Sequence, residues 1–126
     1  MRCRSLPRGG AILLPLCLVL VLITLSGCGL LRSLFNKPPV AVIEAAPTSG
    51  FAPLEVAFDG SGSFDPDGQV ISFYWDFGDG QTAGQKLATH IYRVQGDFTA
   101  RLTVRDDDGA KGTASIVIEV GPPLPR

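Results

Sequence analysis

The chain has 126 residues, with 11 Lys and Arg against 12 Asp and Glu and a formal net charge of −1. That length holds one domain at most. A slightly acidic balance argues against nucleic acid as a partner, since binding phosphate backbones requires a basic face. In chain order, Arg2, Arg4 and Arg8 come first with no acidic residue among them, and then Ala11–Leu25, AILLPLCLVLVLITL, which carries no charge. A basic n-region before an apolar h-region of roughly 7–15 residues is the layout of a secretory signal. The alternative is an uncleaved membrane helix, but spanning a bilayer takes about 20 apolar residues, and Ser26-Gly27-Cys28-Gly29 ends this run sooner.

Three cysteines are present, Cys3, Cys17 and Cys28, so everything beyond Cys28 is free of disulfide and thiol chemistry. Cys17, inside the apolar run, reads as a small hydrophobe. Cys28 closes the run in the string Leu25-Ser26-Gly27-Cys28, where small residues suit a peptidase's narrow pockets. The string resembles the bacterial lipobox. That resemblance implies a signal peptide over residues 1–27, a diacylglyceryl group on the Cys28 thiol and cleavage just before it. The mature chain then has 8 Lys and Arg against 12 Asp and Glu. Two acyl chains and an N-acyl group would hold it firmly in a membrane, since single chains bind only marginally. Gly29 is not the aspartate associated with inner-membrane retention in diderm bacteria, so the resemblance implies the outer membrane in a diderm and the cell membrane otherwise, facing outside the cytoplasm.

Residues 28–39 form the lipidated cysteine and a short tether, GLLRSLFNKPP after Cys28, whose reach of about 35–40 Å keeps residues 40–120 near the membrane. Its Leu30, Leu31, Leu34 and Phe35 either lie on lipid or belong to a plain linker. From Val40 the pattern has period two. Val40–Ala45 reads as a strand, broken by PTSGFAP. Leu54, Val56 and Phe58 then alternate with polar or small residues, and SGSFDPDG is a loop. Ile71, Phe73, Trp75 and Phe77 are expected on one face, with Ser72, Tyr74 and Asp76 on the other. DGQTAG reads as a turn, and Leu87 to Tyr92 as a short run. Phe98, Ala100, Leu102 and Val104 face in, with Thr99, Arg101, Thr103 and Arg105 out. DDDGAKG turns the chain into Ala114, Ile116, Ile118 and Val120, and GPPLPR, residues 121–126, forms a tail because prolines end strands. About seven short strands without helical periodicity predict an all-β, immunoglobulin-like sandwich over residues 40–120, with Trp75 as its core tryptophan.

The string YWDFGDGQ at 74–81 raises the question of catalysis. Asp76 and Asp79 form a carboxylate pair that could serve as acid and base, and Asp76-Phe77-Gly78 spells the kinase DFG. A kinase also needs a glycine-rich loop, a strand lysine and an HRD loop, none of which is in the sequence. The structural alternative is a hairpin: Asp79-Gly80 is a favoured turn pair, because Gly accepts positive φ and Asp bonds the nearby backbone. The single His90 has no cysteine or serine partner motif and reads as a hydrogen-bonded packing residue. Tyr74, Arg101 and Arg105, with Thr103, make a recognition patch on the outer face, Tyr and Arg being enriched at hot spots; ordinary exposed strand residues are the alternative.

SGSFDPDGQVISFYWDFGDG and, further on, ATHIYRVQGDFTARLTVRDDDGAKGTASIVIEV are similar to the PKD (polycystic kidney disease) domain family. WDFGDG is its most recognisable string, and His90, Tyr92, Gly96, Phe98, Leu102, Val104, Asp106 and Gly109 fit its later spacing. The resemblance implies a non-catalytic sandwich outside the cytoplasm that binds, spaces or adheres. The expected function is binding of an envelope protein or glycan, with a spacer or envelope-assembly role as the alternative. Some members bind calcium through loop aspartates, which points to Asp65, Asp67 and Asp106; turn formation is the other reading of these residues, and their spacing is not that of an EF-hand.

Overall fold

The computed structural model describes residues 34–126, of which Lys37–Arg126 form a compact unit. The expected signal peptide, Cys28 and the tether as far as Ser33 lie outside the described residues. Eight strands form, in order β1 (Glu44–Ala46), β2 (Ser49–Phe51), β3 (Leu54–Asp59), β4 (Val70–Asp76), β5 (Thr82–Ala83), β6 (Leu87–Tyr92), β7 (Gly96–Asp106) and β8 (Lys111–Gly121). They make a three-stranded sheet, β1-β3-β6, and a five-stranded sheet, β2-β8-β7-β4-β5. The expected all-β sandwich is thus realised, with eight strands in place of about seven.

Alternation decides which side chains enter. In β3, Leu54, Val56 and Phe58 are buried while Glu55 and Ala57 are exposed. In β7, Ala100, Leu102, Val104 and Asp106 are buried and Thr99, Arg101 and Arg105 exposed. The two inner faces meet over Val56, Phe58, Trp75, Phe77, Tyr92, Leu102 and Ile118. Trp75 is 0% exposed, its ring 5.3 Å from that of Phe58, and its Nε1–H donates to Gln85 O at 2.8 Å. Burial of such an aromatic contributes about 2–3 kcal/mol, and the one polar atom of the indole is satisfied, so no unpaired donor offsets that gain.

Four local expectations fail, each for a definable reason. The first strand does not run from Val40. Val40 forms an isolated bridge to Phe64, and Val42 exchanges its backbone groups with the Ser63 hydroxyl (N–H to Oγ at 3.0 Å), so a regular ladder starts only at Glu44. The segment expected to be a pure break contains β2, which pairs in parallel with β8 from Ser49↔Glu119 to Phe51↔Gly121 and carries the chain from one sheet to the other. Ile71 does not face the core. The β4–β7 register shifts between Val70 and Ser72, and the extra residue leaves Ile71 58% exposed. The expected turn DGQTAG contains a two-residue strand, β5, paired with Trp75 and Asp76.

Candidate functional site

The hairpin joining β4 to β5 holds most of the residues that look reactive. Phe77 N–H donates to Gln81 O at 3.0 Å and closes the turn. Asp76 Oδ1 accepts from Gly78 N–H at 3.0 Å, and Asp79 Oδ1 accepts from Gln81 N–H at 3.1 Å. Gly78 and Gly80 have φ of 82° and 92°, which an L side chain adopts only with strain. At Gly78 there is also no room: a Cβ would stand 2.6 Å from Thr99 O.

The second oxygen of Asp79 accepts from His90 Nε2 at 2.7 Å. His90 is 7% exposed, its ring stacked on Phe77 at 4.3 Å and set edge-on to Tyr92 at 4.7 Å. The Tyr92 hydroxyl returns to the hairpin by donating to Phe77 O at 2.9 Å. Burial first, and then the carboxylates of Asp79 and Asp76, push the Tyr92 phenol up to about 12. Asp76, Asp79 and Tyr92 are therefore bonded to the backbone of the turn, and His90 is bonded to Asp79. The expectation that Asp79-Gly80 turns the chain and that His90 packs through a hydrogen bond matches this geometry.

The two acidic loops come together at one end of the sandwich. Asp107 N–H donates to Gln69 O and Asp107 Oδ1 accepts from Gln69 N–H, each at 3.1 Å, which ties the β7–β8 turn to the β3–β4 loop. Asp106 is buried, and its Oδ1 accepts from Asp108 N–H at 3.0 Å and Ala110 N–H at 2.7 Å. Asp67 Oδ2 accepts from Lys37 N–H at 2.9 Å. Asp65 Oδ1 takes Asp67 N–H at 3.3 Å, while its Oδ2 is buried without a hydrogen-bond partner. Desolvation, with the Asp67 side chain and the Asp106 charge adding to it, raises the Asp65 carboxyl above the ordinary range. Calcium takes six to eight oxygens. Among the described residues no group of three or more His, Cys, Asp or Glu is placed to hold a metal ion. As they stand, Asp65 and Asp106 organise turns and Asp67 ties the loop to Lys37, and Asp65 Oδ2 is the oxygen that a cation or a proton would relieve.

Tyr74, Arg101 and Arg105 do fall on one surface, the outer face of the five-stranded sheet. Tyr74 lies opposite Thr103, which lies opposite Thr113. On one side of that row stand Asp76, Arg101 and Ser115; on the other, Ser72, Arg105 and Lys111. Tyr74 is 51% exposed. Its ring is carried by the residue directly before the largest of the fully buried side chains, so the anchor of Trp75 fixes the direction in which Tyr74 projects. The Arg105 guanidinium reaches over the β7–β8 turn, where a Cβ at Gly109 would stand 3.5 Å from one of its nitrogens. Lys111 has no local signal in the sequence. It joins the face through the Arg105↔Lys111 register, which depends on the length of the β7–β8 turn.

Comparison with known proteins places this geometry. The PKD domain profile matches residues 36–120. Collagenase ColA of Clostridium perfringens is 41% identical over 85 residues, 68% of this chain and 8% of the collagenase, so the chain spans a small part of the relatives it matches. The PKD1 domain of Vibrio anguillarum Epp is 35% identical with a TM-score of 0.60, covering 70% of this chain and 99% of that one. A structure from work on carbohydrate-binding modules of the β-sandwich superfamily has a TM-score of 0.65 at 30% identity, covering 69% of this chain and 36% of that one. The matched regions are PKD modules, non-catalytic domains within larger proteins. With its two sheets, its WDFGDG hairpin and a match across most of its length, the chain belongs to the PKD domain family.

Proposed function

We propose that this chain is a bacterial lipoprotein, anchored through Cys28, whose PKD domain binds a glycan or a protein at the cell envelope without catalysing a reaction. The observation that carries the binding reading is the outer face of the five-stranded sheet, where the half-exposed Tyr74 projects among Arg101, Arg105 and two threonines. Exposed Tyr and Arg on a rigid sheet can bind at low entropic cost, because the backbone under them is already ordered. The hairpin carboxylates and His90, by contrast, are held by one another and by backbone amides, which leaves no free acid–base pair there. Likeness to a carbohydrate-binding module and to a collagenase accessory region supports binding as the role. The anchoring half rests on the sequence alone: the basic start, the apolar run and Ser26-Gly27-Cys28.

Two measurements test the two halves. Capture from solubilised envelope is expected to give a saturable partner that the Tyr74→Ala variant fails to hold; no saturable partner leaves the domain a spacer. Mass spectrometry of the mature N-terminus is expected to show lipid on Cys28, and an unmodified Cys28 within an intact N-terminus removes the lipoprotein.

A further inference from the structure

The charge of the outer face narrows the ligand. Residues 34–126 carry seven Lys and Arg against twelve Asp and Glu, so the domain as a whole is acidic. Three of those seven cations, Arg101, Arg105 and Lys111, nevertheless share one face with Tyr74. The outward residues of the opposite sheet include Glu44, Glu55 and Asp59, and β1, β3 and β6 contain no Lys or Arg at all. Between the two sheet faces, the positive charge is sorted onto one.

That face also carries carboxylates: Asp76 stands beside Arg101 in the β4–β7 register, and the exposed Asp97, four residues before Arg101, lies opposite Glu119. Asp76 accepts from Gly78 N–H. Asp106 is turned into the core, and Asp107 bonds the Gln69 backbone. Arg101 and Arg105 are four residues apart on one strand, about 13 Å along it, and the Tyr74 row lies midway between them. Lys111 sits beside Arg105 on the adjoining strand, about 5 Å across. Guanidinium groups favour planar anions, which they bind bidentately, while a tyrosine face suits the apolar face of a sugar ring.

Resting on the reading of this face as the binding surface, we infer that its ligand is an anionic glycan: a carboxylated or sulfated sugar chain that lies across Tyr74 with acidic groups at Arg101 on one side and at Arg105 and Lys111 on the other. Spacing the cations on both sides of the aromatic selects a chain of several sugars over a single one.

The full-length chain in detergent is titrated by calorimetry with polygalacturonate, with its methyl-esterified neutral form and with poly-glutamate. Polygalacturonate is expected to bind, more weakly as salt rises from about 50 to about 200 mM. The ester and poly-glutamate are each expected to bind about tenfold more weakly or worse. The double variant Arg101→Gln, Arg105→Gln is expected to lose about tenfold or more of the polygalacturonate affinity with Tm unchanged. Equal, salt-independent binding of acid and ester overturns the inference and leaves the glycan-binding reading standing. Equal binding of poly-glutamate overturns the glycan as occupant. No binding of any probe by folded protein overturns the inference, and whether the broader reading falls with it is decided separately by the envelope capture.

Discussion

The hairpin at residues 75–81 and the sheet face around Tyr74 are adjacent in sequence and opposite in what they leave undone. The hairpin concentrates carboxylates, glycines and the contact to His90, and each of these polar side chains is matched by a partner: Asp76 by Gly78, Asp79 by Gln81 and His90. The face holds a half-exposed tyrosine with Arg101, Arg105 and Lys111 around it. Both depend on one strand, β4, whose inward residues anchor the core and whose outward residues are displayed. A dense motif can thus be spent on holding a turn, while the exposed side of the same strand keeps its side chains displayed.

Breaking the shared anchor is expected to have the largest effect. Trp75→Ala removes a fully buried indole and should cost about 3–5 kcal/mol, a large share of the stability of so small a domain. Urea denaturation monitored by far-ultraviolet circular dichroism measures it. If Trp75 anchors both regions, binding and fold are lost together. Gly78→Ala tests the hairpin alone. A positive φ of 82° and a Cβ 2.6 Å from Thr99 O put the cost at about 2 kcal/mol. The same scan reads it, and the folded fraction should still bind through Tyr74.

Strands whose two faces differ in polarity are legible from alternation alone, which is why β3, β7 and β8 match expectation almost residue by residue. Ile71 escapes that reading because a bulge has no side-chain signature: an apolar residue continues the period-two pattern whether or not the register slips under it. β2 escapes it because its three residues are held by pairing to distant β8, and β5 because two residues are too few to show a period. At the proposed binding face, Tyr74, Arg101 and Arg105 are legible, since alternation sends them outward. Their rows, and the addition of Lys111, come from cross-strand register, which long-range pairing fixes. The grouping of Asp65 with Asp107 likewise depends on two loops meeting across the domain.

That acidic end offers a smaller, pH-dependent test. The Asp65 carboxyl is raised by desolvation, so the folded state holds its proton more tightly than the unfolded state does. The stability linked to it is present below the ordinary aspartate pKa of about 3.9 and is lost as pH rises through the raised folded value. Asp65→Asn should therefore raise Tm at pH 7 and lose that advantage as the pH is brought down towards 4, where the native carboxyl is protonated. A variant less stable than the parent at pH 7 would show that the ionised carboxylate is needed there.

The smallest effect on stability is expected where the effect on binding is greatest. Tyr74 is half-exposed and lies opposite Thr103, so Tyr74→Ala removes little buried area. Its cost should stay within about 0.5 kcal/mol, measured in the same urea scan as Trp75→Ala. Yet truncating a central aromatic of a binding surface commonly costs about 2 kcal/mol or more, roughly thirtyfold in affinity. The two residues are neighbours on one strand and point to opposite sides of one sheet. If Tyr74→Ala unfolds the domain, the outer face is structural and the comparison collapses. If it leaves both Tm and envelope capture unchanged, the face does not bind. Full stability with lost capture is the outcome that separates display from anchoring, because a single period-two step along β4 then divides the residue that holds the fold from the residue that meets the partner.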